Sequence, residues 1–166
     1  MVVIVDYDMG NLGSIENMIK KVGHKSHITS SCTDVENASK IILPGVGSFD
    51  HAVKSLKKRG LFEVIQAKAL QGDTPVLGIC LGMQLLTNGS EEGNLPGLGL
   101  VDAHATKFCF DSAQKKLPVP HMGWNVAKAQ KESFILQCMP REEMRFYFVH
   151  SYAVSCAQKN DELTTT

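Results

Sequence analysis

The chain has 166 residues, 43% of them hydrophobic and 20% charged, and its 17 basic and 17 acidic side chains leave no net charge. This composition describes a globular protein long enough to bury a core. The lack of a basic excess argues against nucleic acid or an anionic membrane as main partner.

Val2–Val5 predicts a buried strand, apolar on both faces and β-branched. Asp6–Asn11 is a turn, and a helix with Ile15, Met18, Ile19 and Val22 on one face follows, capped by Asn11 or Ser14 and stopped at Gly23. His24–Thr29 predicts a second strand, and Thr33-Asp34 starts a short helix through Ala38. Lys40–Leu43 predicts a third strand that enters Pro44-Gly45-Val46-Gly47-Ser48. Phe49–Lys58 and Leu61–Ala69 have helical period and are separated at Gly60; Pro75–Ile79 is the fourth strand. Repeated strand–helix alternation implies an α/β fold, a mainly parallel sheet with helices on both faces. Ligand sites in such sheets lie beyond the carboxyl ends of the strands, where Asp6–Asn11, Pro44–Ser48 and Cys80 all fall. After the turn-rich Asn88–Gly99 segment, Leu100–Phe110, Trp124–Ala129 and Arg145–Val154 predict strands. No repeat, linker or low-complexity segment divides the chain, so residues 1–166 are expected to form one domain.

The chemistry centres on Gly78-Ile79-Cys80-Leu81-Gly82, which joins the fourth strand to a helix-like run, Met83-Gln84-Leu85-Leu86. This is the thiol counterpart of the Gly-x-Ser-x-Gly nucleophile elbow. Its glycines allow a strained corner and close backbone approach, the helix N-terminus favours thiolate, and the Leu81 N–H is free to hold a developing oxyanion. The plainer reading of a cysteine in an apolar run is a small inert hydrophobe. Pro44-Gly45-Val46-Gly47 lacks the Lys-Ser/Thr of a phosphate loop and reads by itself as a tight turn. A thiol nucleophile needs a base, for which His150 and His121 are the candidates by chemistry alone; structural imidazoles are the alternative. None of the six histidines stands in a metal-ligand spacing, and no metal or cofactor is expected. The five cysteines, Cys32, Cys80, Cys109, Cys138 and Cys156, are too scattered for a disulfide framework. With no apolar span or leader pattern either, the expected compartment is the cytoplasm. Trp124 leans to core, and Glu91 and Glu92 to a solvated loop.

Together these stretches resemble the class I glutamine amidotransferases, in particular the branch that forms glutaminase subunits of imidazole glycerol phosphate synthase. The matching segments are Val5–Leu12, Leu43–Phe49, Gly78–Leu86, Ser90–Gly93, Pro96–Leu100, His121–Asn125 and Tyr147–Tyr152, in the family's order along nearly the whole chain. Asp8 departs from the pattern, since the family usually has Gly there. The resemblance implies glutamine hydrolysis, with Cys80 as the nucleophile. It implies an oxyanion site at the backbone of Leu81 and of the Gly45, Val46 and Gly47 loop. Gln84, Glu92, Ser151 and Tyr152 resemble the glutamine-binding positions. His121, Met122, Trp124 and Asn125 resemble the face that meets a β/α-barrel synthase subunit in a heterodimer. Ammonia would pass into that barrel to make imidazole glycerol phosphate and aminoimidazole carboxamide ribotide. Alternatives are a paralogue that supplies ammonia for an amidated surface-polysaccharide sugar, or a non-catalytic remnant that only binds its partner.

The resemblance also implies that the base is a His-Pro-Glu segment rather than His150. The sequence contains no such segment and ends Asp161-Glu162-Leu163-Thr164-Thr165-Thr166, like a family strand cut short. The expectation is therefore a truncated or frameshifted glutaminase, weakly active at best, with apolar surface exposed.

Overall fold

A computed structural model describes residues 1–110, 117–137, 139 and 144–166. The chain divides into two compact units, Met1–Ala105 and Thr106–Thr166.

The first unit is built on strands β1 (Val2–Val5), β2 (Ser26–Thr29), β3 (Lys40–Leu43) and β4 (Val76–Gly78), paired in the order β2-β1-β3-β4. Every pairing is parallel: Val3 lies opposite His27 and Ile41, and Leu43 opposite Gly78. The connecting helices are α1 (Leu12–Lys21), α2 (Cys32–Glu36), and α3 (Phe49–Lys58) with α4 (Leu61–Leu70). The path moves one way from β1 to β2 and the other way from β2 to β3 and β4. Right-handed crossovers therefore put α1 on one face and α2, α3 and α4 on the other.

Local chemistry sets the ends of these helices. The Asn11 side chain accepts from the Ser14 N–H at the start of α1, Ser31 does the same for α2 through Asp34 N–H, and Ser48 for α3 through His51 N–H. Lys57 and Lys58 close α3 where its dipole is negative. Gly60 takes the left-handed φ of +70° that the sharp turn between α3 and α4 requires.

Val3, Val5, Ile41 and Leu43 point to the face covered by Val35, Phe49, Val53, Leu56, Leu61 and Ile65, and these residues form one apolar core. Alternation sends Ile4 to the opposite face, where it is also fully buried. α1 packs on that face. Ile15 and Ile19 of its stripe are half-buried, but Met18 and Val22 remain exposed because β2 is the edge of the sheet and offers nothing further to cover them. Past β4 come α5 (Leu81–Leu85), β5 (Gly89–Ser90) and β6 (Ala103–Lys107), with β5 and β6 parallel and the division between the units falling within β6. The expected strand over Leu100–Phe110 is thus only five residues long.

In the second unit, β7 (His121–Val126) runs antiparallel to β9 (Arg145–His150), and β8 (Lys128–Ala129) to β11 (Thr164–Thr165). The expected strand over Arg145–Val154 is broken at Ser151, after which β10 spans Tyr152–Cys156. Trp124 is 67% exposed, which overturns its expected place in a core. It stands with Met122 and Val126 on one face of a two-stranded ribbon, opposite Tyr147, and packs edge-on against that ring.

Candidate active site

Cys80 occupies the corner between β4 and α5. Its φ of +55° lies where a residue with a Cβ is strained, and it caps the helix without a side-chain hydrogen bond. The side chain is exposed. This is the geometry of an elbow that lifts a nucleophile out of the sheet, and it excludes the reading of Cys80 as a buried hydrophobe.

The corner is packed so tightly that its glycines have no substitutes. A Cβ at Gly82 would overlap the Leu43 carbonyl oxygen, and one at Gly78 would lie 2.6 Å from the Gly82 oxygen and the Met83 Cα. A Cβ at Gly45 would lie 2.9 Å from the Gly82 nitrogen and the Leu81 Cβ. The Pro44–Gly47 loop after β3 is therefore pressed against the start of α5. Among the described residues, the N–H groups of Gly45, Val46, Gly47 and Leu81 donate to no protein acceptor. Such donors beside a nucleophile are what a developing oxyanion needs.

The other expected residues of the first unit join this site through one chain of contacts. Ser90, almost fully buried, donates its hydroxyl to the Gln84 side-chain oxygen (2.9 Å) and accepts from the Glu92 N–H (3.2 Å). Gln84 keeps its NH2 unengaged among the described residues, and the Glu92 side chain is exposed. From α3, Asp50 Oδ1 accepts from the Asn94 and Leu95 N–H groups at 2.9 and 3.0 Å, which ties down the far end of the same loop. Sequence reasoning missed Asp50; the signal for it was an acid two residues past a helix cap.

Asp8, the departure in the first loop, has a φ of +67°. The position calls for the left-handed backbone that glycine takes most readily, and the aspartate that occupies it is ion-paired with Arg59 at the end of α3. Next to it, Tyr7 is fully buried and donates its hydroxyl to the Pro44 carbonyl. Burial, reinforced by the neighbouring Cys80, pushes its phenol up, so it remains a protonated donor.

In the second unit, the Asn125 Nδ2 donates to His121 Nε2 (3.4 Å), His121 Nδ1 to His150 Nε2 (3.1 Å), and His150 Nδ1 to the Tyr152 carbonyl (2.8 Å). The carbonyl can only accept, which sets this direction for the chain when both rings are neutral. Both imidazoles suggested as bases are thus engaged in a structural chain of their own unit. Ser151 accepts the Phe108 N–H through its carbonyl oxygen, and Tyr152 is half-buried.

Cys32, Cys109 and Cys156 are free thiols like Cys80, while Cys138 lies outside the described residues. Among the described residues no group of His, Cys, Asp or Glu is arranged to hold a metal ion, and no helix is long and apolar enough to cross a membrane.

Comparison with known proteins gives this arrangement relatives. A solved structure described as a glutamine amidotransferase superposes with a TM-score of 0.66 over 95% of this chain and 75% of its own, at 16% identity, which is a likeness of fold. Imidazole glycerol phosphate synthase subunit HisH 2 of Methanococcus maripaludis is 49% identical over all of this chain and 80% of its own length. The HisH 2 subunit of Pseudomonas aeruginosa is 46% identical over 92% of this chain and 73% of its own. The model of the class-I glutamine amidotransferase family matches residues 3–166, and the chain belongs to that family.

Proposed function

We propose that this chain is the glutaminase subunit of an imidazole glycerol phosphate synthase, with Cys80 as its nucleophile. The observation that carries the role of Cys80 is its strained, exposed corner, beside which four N–H groups donate to no acceptor among the described residues. The Cys80 sulfur adds to the side-chain carboxamide carbon of glutamine, and the oxygen takes up negative charge opposite the N–H groups of Leu81 and the Gly45–Gly47 loop. The C–N bond then breaks. Nitrogen leaves as ammonia with the thiol proton, and a thioester remains. Water adds to the thioester, which releases glutamate and restores the thiol. No cofactor takes part.

Of the positions that resemble the family's glutamine-binding residues, Gln84 and Glu92 lie in the unit that carries Cys80, and Ser151 and Tyr152 in the other. His121, Met122, Trp124 and Asn125 form the face for a β/α-barrel synthase subunit, which receives the ammonia for histidine biosynthesis. An exposed tryptophan on an apolar ribbon suits such a contact. A biosynthetic role of this kind belongs in the cytoplasm.

The decisive experiment reads the sulfur directly rather than turnover. A diazoketone analogue of glutamine should label Cys80, and excess glutamine should protect it; peptide mass spectrometry reads the site. Loss of labelling in Cys80→Ala with the other thiols unmodified supports the proposal. Labelling spread over Cys32, Cys109 and Cys156, or none at all, would refute it.

A further inference from the structure

The mechanism above leaves one buried polar side chain beside the site unused. Tyr7 sits just past β1, fully enclosed, and both of its ends are held. The Ser55 hydroxyl on α3 donates to the Tyr7 backbone carbonyl at 2.6 Å. At the other end the phenol donates to the Pro44 carbonyl. The same hydroxyl would lie only 2.8 Å from a Cβ at Gly45, on which the Gly82 nitrogen also closes at 2.9 Å. The first peptide of the oxyanion loop is thus confined between Tyr7 and the start of α5.

We infer that Tyr7 is a positioning residue for acyl transfer: by holding the Pro44 carbonyl it sets the plane of the Pro44–Gly45 peptide and aims the N–H groups of the following loop at the Cys80 site. A peptide unit is planar, so fixing its carbonyl oxygen fixes its N–H in the opposite direction. Donors aimed before the reaction cost no reorganisation when charge develops. The raised phenol keeps the proton that this role requires throughout the neutral range. The inference rests on the glutaminase reading, because the aimed groups matter only if an oxyanion forms at Cys80.

Tyr7→Phe removes the donor and keeps the ring, so it opens no cavity. The test is the inactivation of the whole chain by the glutamine diazoketone, resolved into a maximal rate and a half-saturating concentration. Iodoacetamide alkylation of Cys80 is the control for a thiol that needs no oxyanion. In Tyr7→Phe the maximal rate should fall about tenfold, as for one lost hydrogen bond in the transition state. The half-saturating concentration and the iodoacetamide rate should stay within about twofold. A merely structural role would change the iodoacetamide rate and the melting temperature without this split.

A Tyr7→Phe maximal rate within twofold of wild type overturns the inference while leaving the glutaminase reading intact. Failure of the wild-type chain to react overturns both. Should Tyr7→Phe not fold, Ser55→Ala carries the test by releasing the other end of Tyr7. A threefold or greater loss of maximal rate there, with iodoacetamide alkylation unchanged, supports the inference, and an unchanged rate overturns it.

Discussion

In the first unit, Val3, Val5, Ile41 and Leu43 are almost completely removed from solvent, whereas in the second the ribbon of β7 and β9 keeps Met122, Trp124, Tyr147 and Val149 more than half exposed. The strands of the first sheet are rich in β-branched residues and the ribbon in aromatic ones, but both are apolar enough to line a core, so apolarity alone does not separate them. What differs is the layer above each sheet. Parallel strands come with crossover helices that cover them. A two-stranded antiparallel ribbon brings no cover of its own, and a single ribbon is marginal in water. The first unit hides the apolar side chains between its sheet and α2, α3 and α4; the ribbon offers its own.

The contrast can be broken at four points, taken from the largest expected effect down. Gly82→Ala would drive a methyl into the Leu43 carbonyl and should cost more than about 3 kcal/mol, read as a fall in urea midpoint or a loss of soluble protein. Gly123→Ala in the ribbon meets no atom within 4 Å and has only its φ of +136° against it, so its cost should be about 1–2 kcal/mol. Equal losses in the two variants would mean that the ribbon is as tightly packed as the elbow. Trp124→Ser should change stability by no more than about 0.5 kcal/mol, yet weaken binding to the barrel synthase subunit at least tenfold in calorimetric titration. A large stability loss with unchanged binding would place Trp124 in a core after all.

The smallest effect concerns pH. The Asp34 carboxyl is held below its usual range, chiefly by the Thr29 hydroxyl and further by His27 and Ser31. Its stabilising contribution is therefore complete above the ordinary carboxylate pKa of about 4 and is lost as pH falls through the lowered value. Asp34→Asn should lower the melting temperature slightly at neutral pH and leave it unchanged in strong acid. A drop of the same size at both pH values would exclude a charge effect.

Much of the first unit was legible in the residues because its signals are local. The β-branched run Val2–Val5, the caps Asn11 and Ser48, and the glycines around Cys80 each act within a few positions. The Pro44–Gly47 loop was not legible from its own residues, which read as an ordinary turn. Its importance comes from contacts with Tyr7 and Gly82, distant in the chain. The same holds for Asp50, whose carboxylate serves Asn94 and Leu95. Trp124 misled because a lone tryptophan reads as core in either setting, and only the pairing of Met122, Trp124 and Val126 with Val149, Tyr147 and Arg145 reveals an open apolar face. His121 and His150 looked alike as candidate bases until their register opposite each other was known.

The pairing of Asp8 with Arg59 makes position 8 an exchangeable one. The left-handed backbone there suits glycine best, and aspartate is among the few side chains that enter it at small cost. Its ion pair with Arg59 is open to solvent and adds little, so glycine could replace Asp8 without disturbing the end of α3.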